Sequence, residues 1–273
     1  MLGRNKRKRA AAVEEQVEEW DASADLIDDT MASIQLLLSR NAGGFAEIGL
    51  PPFVVWHQIY TILPNRTFVD QNVHRLRSKG KLVTFKIPTG SEDTAILRAE
   101  DYIAEVTKYE NAFREQLRQH PGDTPISSKL NAMAAFGRAL PQLTSLSTAP
   151  LKVLISRMSE GSGSAGEPEI RAMIGLIQRL GFLLPTTRLD DEAYSFSVPG
   201  VGKFVSAIKK TRTLILNTLK RTKYKEMHQQ QLKKAKLKHS RFQLEFHLAD
   251  MEGCGLIRRT KVTSGVLVVL ADK

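Results

Sequence analysis

Apolar residues recur at helical spacing in three stretches of the chain, and each stretch runs into a glycine and then a short apolar run. In DQNVHRLRSKGKLVTFKI (70–87), Val73 and Leu76 share a face, Gly80 follows, and an apolar strand begins. EIRAMIGLIQRLGFLLPTT (169–187) repeats the pattern with Ile170, Ile174, Ile177 and Leu180, then Gly181, then Phe182 to Leu184. QLEFHLADMEGCGLIRRTKV (243–262) repeats it again, with Leu244, Leu248 and Met251, then Gly253 and Gly255, then Leu256 and Ile257. A helix commonly ends in a left-handed residue that glycine adopts without strain. Each strand then meets a turn and a second strand. The turns fall at Thr89 to Asp93, near Asp190 and Asp191, and at Thr263-Ser264-Gly265, which predicts three β-hairpins.

Helices precede each unit. MASIQLLLSR (31–40) and PPFVVWHQIYTIL (51–63) precede the first, with Pro51 and Pro52 suited to a helix start. SSKLNAMAAFGRAL (127–140) and APLKVLISRM (149–158) precede the second, and a long stretch from Val201 opens the third. Helices followed by a hairpin outline a winged helix. Three in series predict a mainly helical α+β chain of three tandem winged-helix domains, at 31–119, 120–200 and 201–273. The competing reading is a generic α+β protein whose helix–glycine–strand units coincide. EGSGSAGEP (160–168) reads as a flexible insertion in the middle unit, and residues 1–30 as a disordered tail.

The stretch from Val201 is amphipathic in an unusual way. At 100° per residue from Val201, Phe204, Val205, Ile208, Ile215, Leu216 and Leu219 fall between about 300° and 60°. Lys203, Lys210, Arg221 and Lys225 fall near about 180–240°, flanked by Lys209 and Lys220 at about 80–100°. Arg212 and Lys223 fall inside the apolar sector, so either the helix breaks or these side chains snorkel from its edge.

Charge sharpens this picture. The chain has 273 residues and a net charge of +11. From Lys203 to Arg241 there are 13 Lys or Arg against one acid, Glu226, a window of +12. Arg4, Lys6, Arg7, Lys8 and Arg9 add +5, which leaves the remainder at −6. A mildly acidic chain with two basic regions points to a localised polyanion contact. The N-terminal cluster reads as a nuclear-localisation signal or a loose phosphate-binding arm, with a solvated tail as the plainer alternative. VEEQVEEWDASADLIDD (13–29) reads as a short acidic helix or a partner-binding segment around Trp20. A hydrophobic share of 42% supports real cores, and the single cysteine, Cys254, excludes an internal disulfide. With no secretory h-region and no apolar run near the roughly 18–20 residues that span a bilayer, an intracellular chain is expected.

Candidate chemistry adds little. VPGVGKF (198–204) fails as a phosphate loop, because Ser197 stands where the first glycine is required and Phe204 where a hydroxyl is required. Gly200 and Gly202 read instead as backbone freedom at a strand-to-helix turn. The glycine-rich, H-R-D-type and D-F-G elements of a protein kinase are absent from the sequence. The six histidines are scattered and Cys254 has no cluster around it for zinc; His57, His74 and His247 lie in helical patterns. Neither catalytic residue, metal nor cofactor is expected.

The basic face remains. A solvated face usually mixes signs, because like charges at i,i+4 cost about a few tenths of a kcal/mol each. Here no acid relieves the repulsion before Glu226. A membrane-surface helix would need the apolar face that the domain itself must bury. The stripe therefore suggests phosphate contacts from Lys203, Lys209, Lys210, Arg212, Lys220, Arg221, Lys223 and Lys225, with Arg258, Arg259 and Lys261 as a second line. Aromatics are sparse there (Phe204, Tyr224, Phe242), which favours duplex DNA over single strands. The alternative is an interaction module that docks acidic protein surfaces, with DNA binding incidental.

Three segments carry a family resemblance: LPPFVVWHQIYTILPNRTFVDQNVHRLRSKGKL, SVPGVGKFVSAIKKTRTLILNTLKRTKYKEM and TSGVLVVL. Over residues 31–273 the chain resembles the serine/threonine-protein kinase 19 family, whose members are understood as tandem winged-helix proteins and not as kinases. The resemblance implies nuclear location, duplex-DNA binding and a role in transcription-coupled nucleotide excision repair. It also implies bridging of stalled RNA polymerase II, the Cockayne-syndrome ubiquitin-ligase subunit and the repair helicase complex. By position, Lys203, Lys210, Arg212, Lys220, Arg221, Lys223 and Lys225 match basic or mostly basic positions of the family.

Overall fold

A computed structural model describes residues 28–89, 92–160, 166–186, 192–234 and 237–271. The chain is mainly helical with small antiparallel sheets. Helix α1 (Asp29–Ile48) begins on the Asp28 cap, whose carboxylate accepts from the Thr30 N–H at 3.0 Å. A two-residue strand β1 (Val54–Val55) leads into a 3-10 turn, Trp56–Thr61. Then come α2 (Arg66–Ser78), β2 (Leu82–Pro88) and β3 (Glu92–Arg98). The long helices α3 (Ala99–Gln119) and α4 (Thr124–Leu143) pack on each other. Next are β4 (Ala149–Pro150), α5 (Leu151–Ser159), α6 (Glu167–Leu180), β5 (Leu183–Pro185) and β6 (Ala193–Phe196). The last group is α7 (Val201–Lys220), β7 (Glu226–His228), α8 (Gln229–Lys233), α9 (Leu244–Gly253), β8 (Ile257–Val262) and β9 (Gly265–Leu270).

The same sheet is built three times. A two- or three-residue strand pairs with the second arm of a hairpin, in the orders β1-β3-β2, β4-β6-β5 and β7-β9-β8, all antiparallel. The helix before each hairpin closes in the same way. Gly80, Gly181 and Gly255 take φ of 68°, 92° and 76°. Beyond each glycine a backbone N–H returns to a carbonyl five residues earlier: Lys81 to Leu76, Phe182 to Ile177, and Leu256 to Met251, at 3.0, 3.2 and 2.8 Å. This closure satisfies helix-end carbonyls and turns the chain back over the helix.

Four expectations change. PPFVVWHQIYTIL forms β1 and the 3-10 turn, not a helix, because the β-branched Val54 and Val55 pair with Ile96 and Ala95 of β3. Gly253 lies inside α9, and a Cβ there would sit 2.1 Å from the His57 carbonyl oxygen, so its smallness serves helix packing. Gly202 likewise lies within α7, while Gly200 alone takes the left-handed turn, at φ 82°. Glu167 and Pro168 belong to the first turn of α6 and not to a linker. Residues 161–165, the turn near Asp190 and Asp191, the cluster at 4–9 and Trp20 lie outside the described residues.

The first and third sheets each help close an apolar cluster of their own, with Ile34, Val54, Val73, Leu82 and Ile96 in one and Ile215, Leu219, Leu248, Ile257 and Val268 in the other. A larger cluster joins the units, running from Phe45 and Phe53 through Phe85, Phe136 and Phe182 to Phe204 and Phe246. Within it, Phe53 meets Phe204 with ring centroids 4.7 Å apart, and Phe242 stacks on Phe246 at 4.4 Å. Gly44 of α1 gives the Phe242 ring its room, since a Cβ there would lie 2.6 Å from a ring carbon. The Tyr102 hydroxyl donates to the Phe182 carbonyl at 3.0 Å and ties α3 to the middle sheet.

Candidate nucleic-acid interface

Helix α7 carries the candidate surface. Phe204, Val205, Ile208, Ile215 and Leu219 are buried, and each contributes about 1.5–3 kcal/mol of burial, enough to fix the rotation of the helix. With that face turned inward, Lys203, Lys209, Lys210 and Lys220 are exposed along the helix, and Arg221, Lys223 and Lys225 are exposed just beyond it. Among the described residues, no carboxylate pairs with any of these seven. The apolar face is closed against the protein's own core and offers nothing to a lipid surface. A shallow groove of about 380 Å³ follows the exposed side, lined by Lys209, Lys210, Thr213, Leu214, Asn217 and His239.

Arg212 does not belong to this surface. It is 7% exposed, and its guanidinium forks onto Asp250 of α9 through Nε and Nη2, both at 2.7 Å. Nη2 also donates to Asp93 of β3 at 2.8 Å. The His57 ring closes the cluster, with Nε2 2.9 Å from Asp250 and Nδ1 3.6 Å from Asp93. Burial opposes the Arg212 charge, but the bonds to Asp250 and Asp93 hold its pKa above the ordinary arginine value. Burial alone would raise the Asp250 carboxyl; Arg212 and His57 overcome it and keep the pKa low. The expectation that Arg212 meets phosphate is thereby corrected: its charge neutralises two buried carboxylates. Neither helix breakage nor snorkelling explains its place in the apolar sector. Lys223 has a simpler explanation, because α7 ends at Lys220 and Lys223 sits in the following turn.

The hairpin residues also separate. Arg259 hydrogen-bonds Glu252 at 2.6 Å and pairs with Glu245, both on α9. Burial works against its charge, yet these bonds hold its pKa above the ordinary value, and it is not free for phosphate. Arg258 and Lys261 are exposed, but strand alternation places Arg258 on one face of the hairpin and Arg259 and Lys261 on the other, so the three do not form one line.

In helix-turn-helix proteins the second helix enters the groove. The helix before the last hairpin, α9, offers no such surface. In α9, Phe246 to Met251 are all buried, and its exposed or half-exposed ends carry Glu245 and Glu252. The acid-free surface is therefore the opening helix, α7. Helical periodicity alone would have added Thr213 and Asn217, which share an arc with Lys210. His239 arrives from a separate segment and has no local signal. Cys254 donates its thiol to the Met251 carbonyl, and burial pushes its pKa up to about 11, far from an activated thiolate. Among the described residues, no three His, Cys, Asp or Glu side chains are placed to hold a metal ion.

The sequence profile of the family described as inactive serine-threonine protein kinase 19 matches residues 39–269. The chain belongs to that family. Its description as inactive agrees with the missing kinase elements, and the chain is not a kinase. Among curated members, winged helix repair factor 1 of Dictyostelium discoideum is 26% identical over 274 residues, covering 93% of this chain and 68% of that protein. Winged helix repair factor 1 of Mus musculus is 26% identical over 242 residues, covering 88% of this chain and 85% of that protein. The Homo sapiens protein of the same name is 25% identical over 243 residues, with the same coverages.

Proposed function

We propose that this member of the family is a non-enzymatic, nuclear, duplex-DNA-binding scaffold of DNA repair, built as three winged-helix units at 31–119, 120–200 and 201–273. The acid-free basic side of α7 is the observation that carries the reading. The three sheets of equal strand order support the tandem winged helices, and the relatives' name supports repair. Nuclear location draws on the cluster at 4–9. Bridging of stalled RNA polymerase II, the Cockayne-syndrome ligase subunit and the repair helicase complex is the pathway role included in the proposal.

A second reading, a module that docks acidic protein surfaces, rests on the same charge. Salt separates the two. Each phosphate contact releases counterions, so log K falls against log salt with a slope of about −0.9 per contact. With exposed Lys203, Lys209, Lys210, Lys220, Arg221, Lys223 and Lys225 available, a slope steeper than about −4 is expected for a random-sequence duplex. A slope near zero, or no retention on DNA at about 50 mM salt, would favour the protein-docking reading.

A further inference from the structure

The turn after α7 holds a side chain that phosphate binding does not use. Tyr224 is 69% exposed, the most exposed of the large apolar side chains among the described residues. Lys223 places its ammonium 5.2 Å from one side of the ring. The flanking chain is pinned. The Thr222 hydroxyl and N–H both donate to the Leu219 carbonyl, at 2.7 and 3.0 Å. The Lys225 N–H donates to Thr222 at 3.2 Å, and the Lys225 carbonyl accepts from Leu270 of β9 at 2.9 Å. Lys225 takes φ 54°, the one positive value at a non-glycine position among the described residues. Such a conformation costs about 1–3 kcal/mol at a residue with a Cβ and concentrates at ligand clamps. The fold thus holds a strained turn that keeps an aromatic ring in water beside Lys223, with exposed Lys220, Arg221 and Lys225 close to it in sequence.

We propose that Tyr224 is a stacking platform for an unpaired nucleobase, so that the protein prefers a duplex adjoining an unstacked base to a continuous duplex. This rests on the duplex-DNA reading above. The charge around the ring selects the ligand: four exposed cations without a carboxylate partner suit a phosphate backbone, and the ring then meets what the backbone carries. Within a continuous duplex both faces of every base are covered, and opening a step costs about a few kcal/mol. At a bubble, a gap or an overhang that cost is already met. Stacking a base on an aromatic ring then strengthens binding by about 5- to 100-fold per base, without sequence preference. The polyanion stripe of α7 holds the duplex arm while the turn at its end engages the unpaired base.

The test measures the full-length chain on three DNAs of equal length: a continuous duplex, the same duplex with a central bubble, and one with a single-stranded overhang. Wild type is expected to bind the bubble and overhang DNAs at least about 5-fold more tightly than the duplex. Tyr224→Ala should erase that ratio while changing duplex affinity by less than about twofold, and Tyr224→Phe should keep it. A 2-aminopurine at the unpaired position should be quenched by wild type and Tyr224→Phe, and not by Tyr224→Ala. An unchanged ratio in Tyr224→Ala overturns the platform and leaves duplex binding standing, the pattern also expected if the ring serves a protein partner. Wild type that binds none of the DNAs overturns both readings.

Discussion

Arg212→Ala is expected to destabilise the folded chain by about 3–5 kcal/mol, the cost of removing one partner from a buried ion pair. Asp250 is fully buried and Asp93 is 6% exposed, so neither carboxylate can recover its lost bonds from water. Arg212→Lys should fall between, because an ammonium cannot fork onto Asp250 and also reach Asp93 in the same plane. Chemical denaturation of the three proteins reads this directly, and a midpoint for Arg212→Ala equal to wild type would remove the cluster from the account of stability. The acid limb should change as well. The folded-state pKa of Asp250 lies below its unfolded value, so its contribution is complete above the ordinary carboxylate range and fades as pH falls toward the lowered value. Burial also pushes His247 down to about 4, so stability falls between the ordinary imidazole value and that point as the unfolded chain takes up the proton. Arg212→Ala should flatten the Asp250 part of this limb and keep most of the His247 part, which burial dominates and the Arg212 charge only reinforces.

Reversing Lys203, Lys210, Lys220 and Arg221 to Glu should lower duplex-DNA affinity by on the order of 10³-fold at about 0.1 M salt, since each phosphate contact accounts for about 0.9 log units there. All four are exposed, and none supports the core, so the thermal midpoint should stay near wild type. The contrast with Arg212 is the point of the experiment. The four reversals should remove binding and spare the fold; Arg212→Ala should weaken the fold and leave the surface charge in place. Retained affinity in a folded quadruple variant would move the contact elsewhere, with Arg258 or Lys261 on the hairpin as the next candidates.

Much of this is legible in the sequence. The helix–glycine–hairpin pattern predicted all three helices that precede hairpins, because the left-handed residue and the 3.6 period are local properties of the chain. The wheel from Val201 separated the buried and exposed sides of α7 for the same reason. The short strands were not legible: β1, β4 and β7 have two or three residues, too few for an alternation to register. Arg212 was visible only as a misfit in the apolar sector, since its partners lie 38 and 119 residues away. Arg259 likewise looked like one more cation until the strand placed it against Glu245 and Glu252. The shared phenylalanine core was also invisible, because which apolar faces join is decided by packing between distant segments.

In the proposed function, the exposed side of α7 holds duplex DNA through its phosphates. The measurement that meets it most directly is the salt dependence of duplex binding for wild type against Lys210→Ala, a residue that lines the α7 groove and takes no part in the core. The expected result is a steep wild-type slope that becomes shallower by about one unit in the variant, with the thermal midpoint unchanged. An identical slope in the two proteins would contradict the claim.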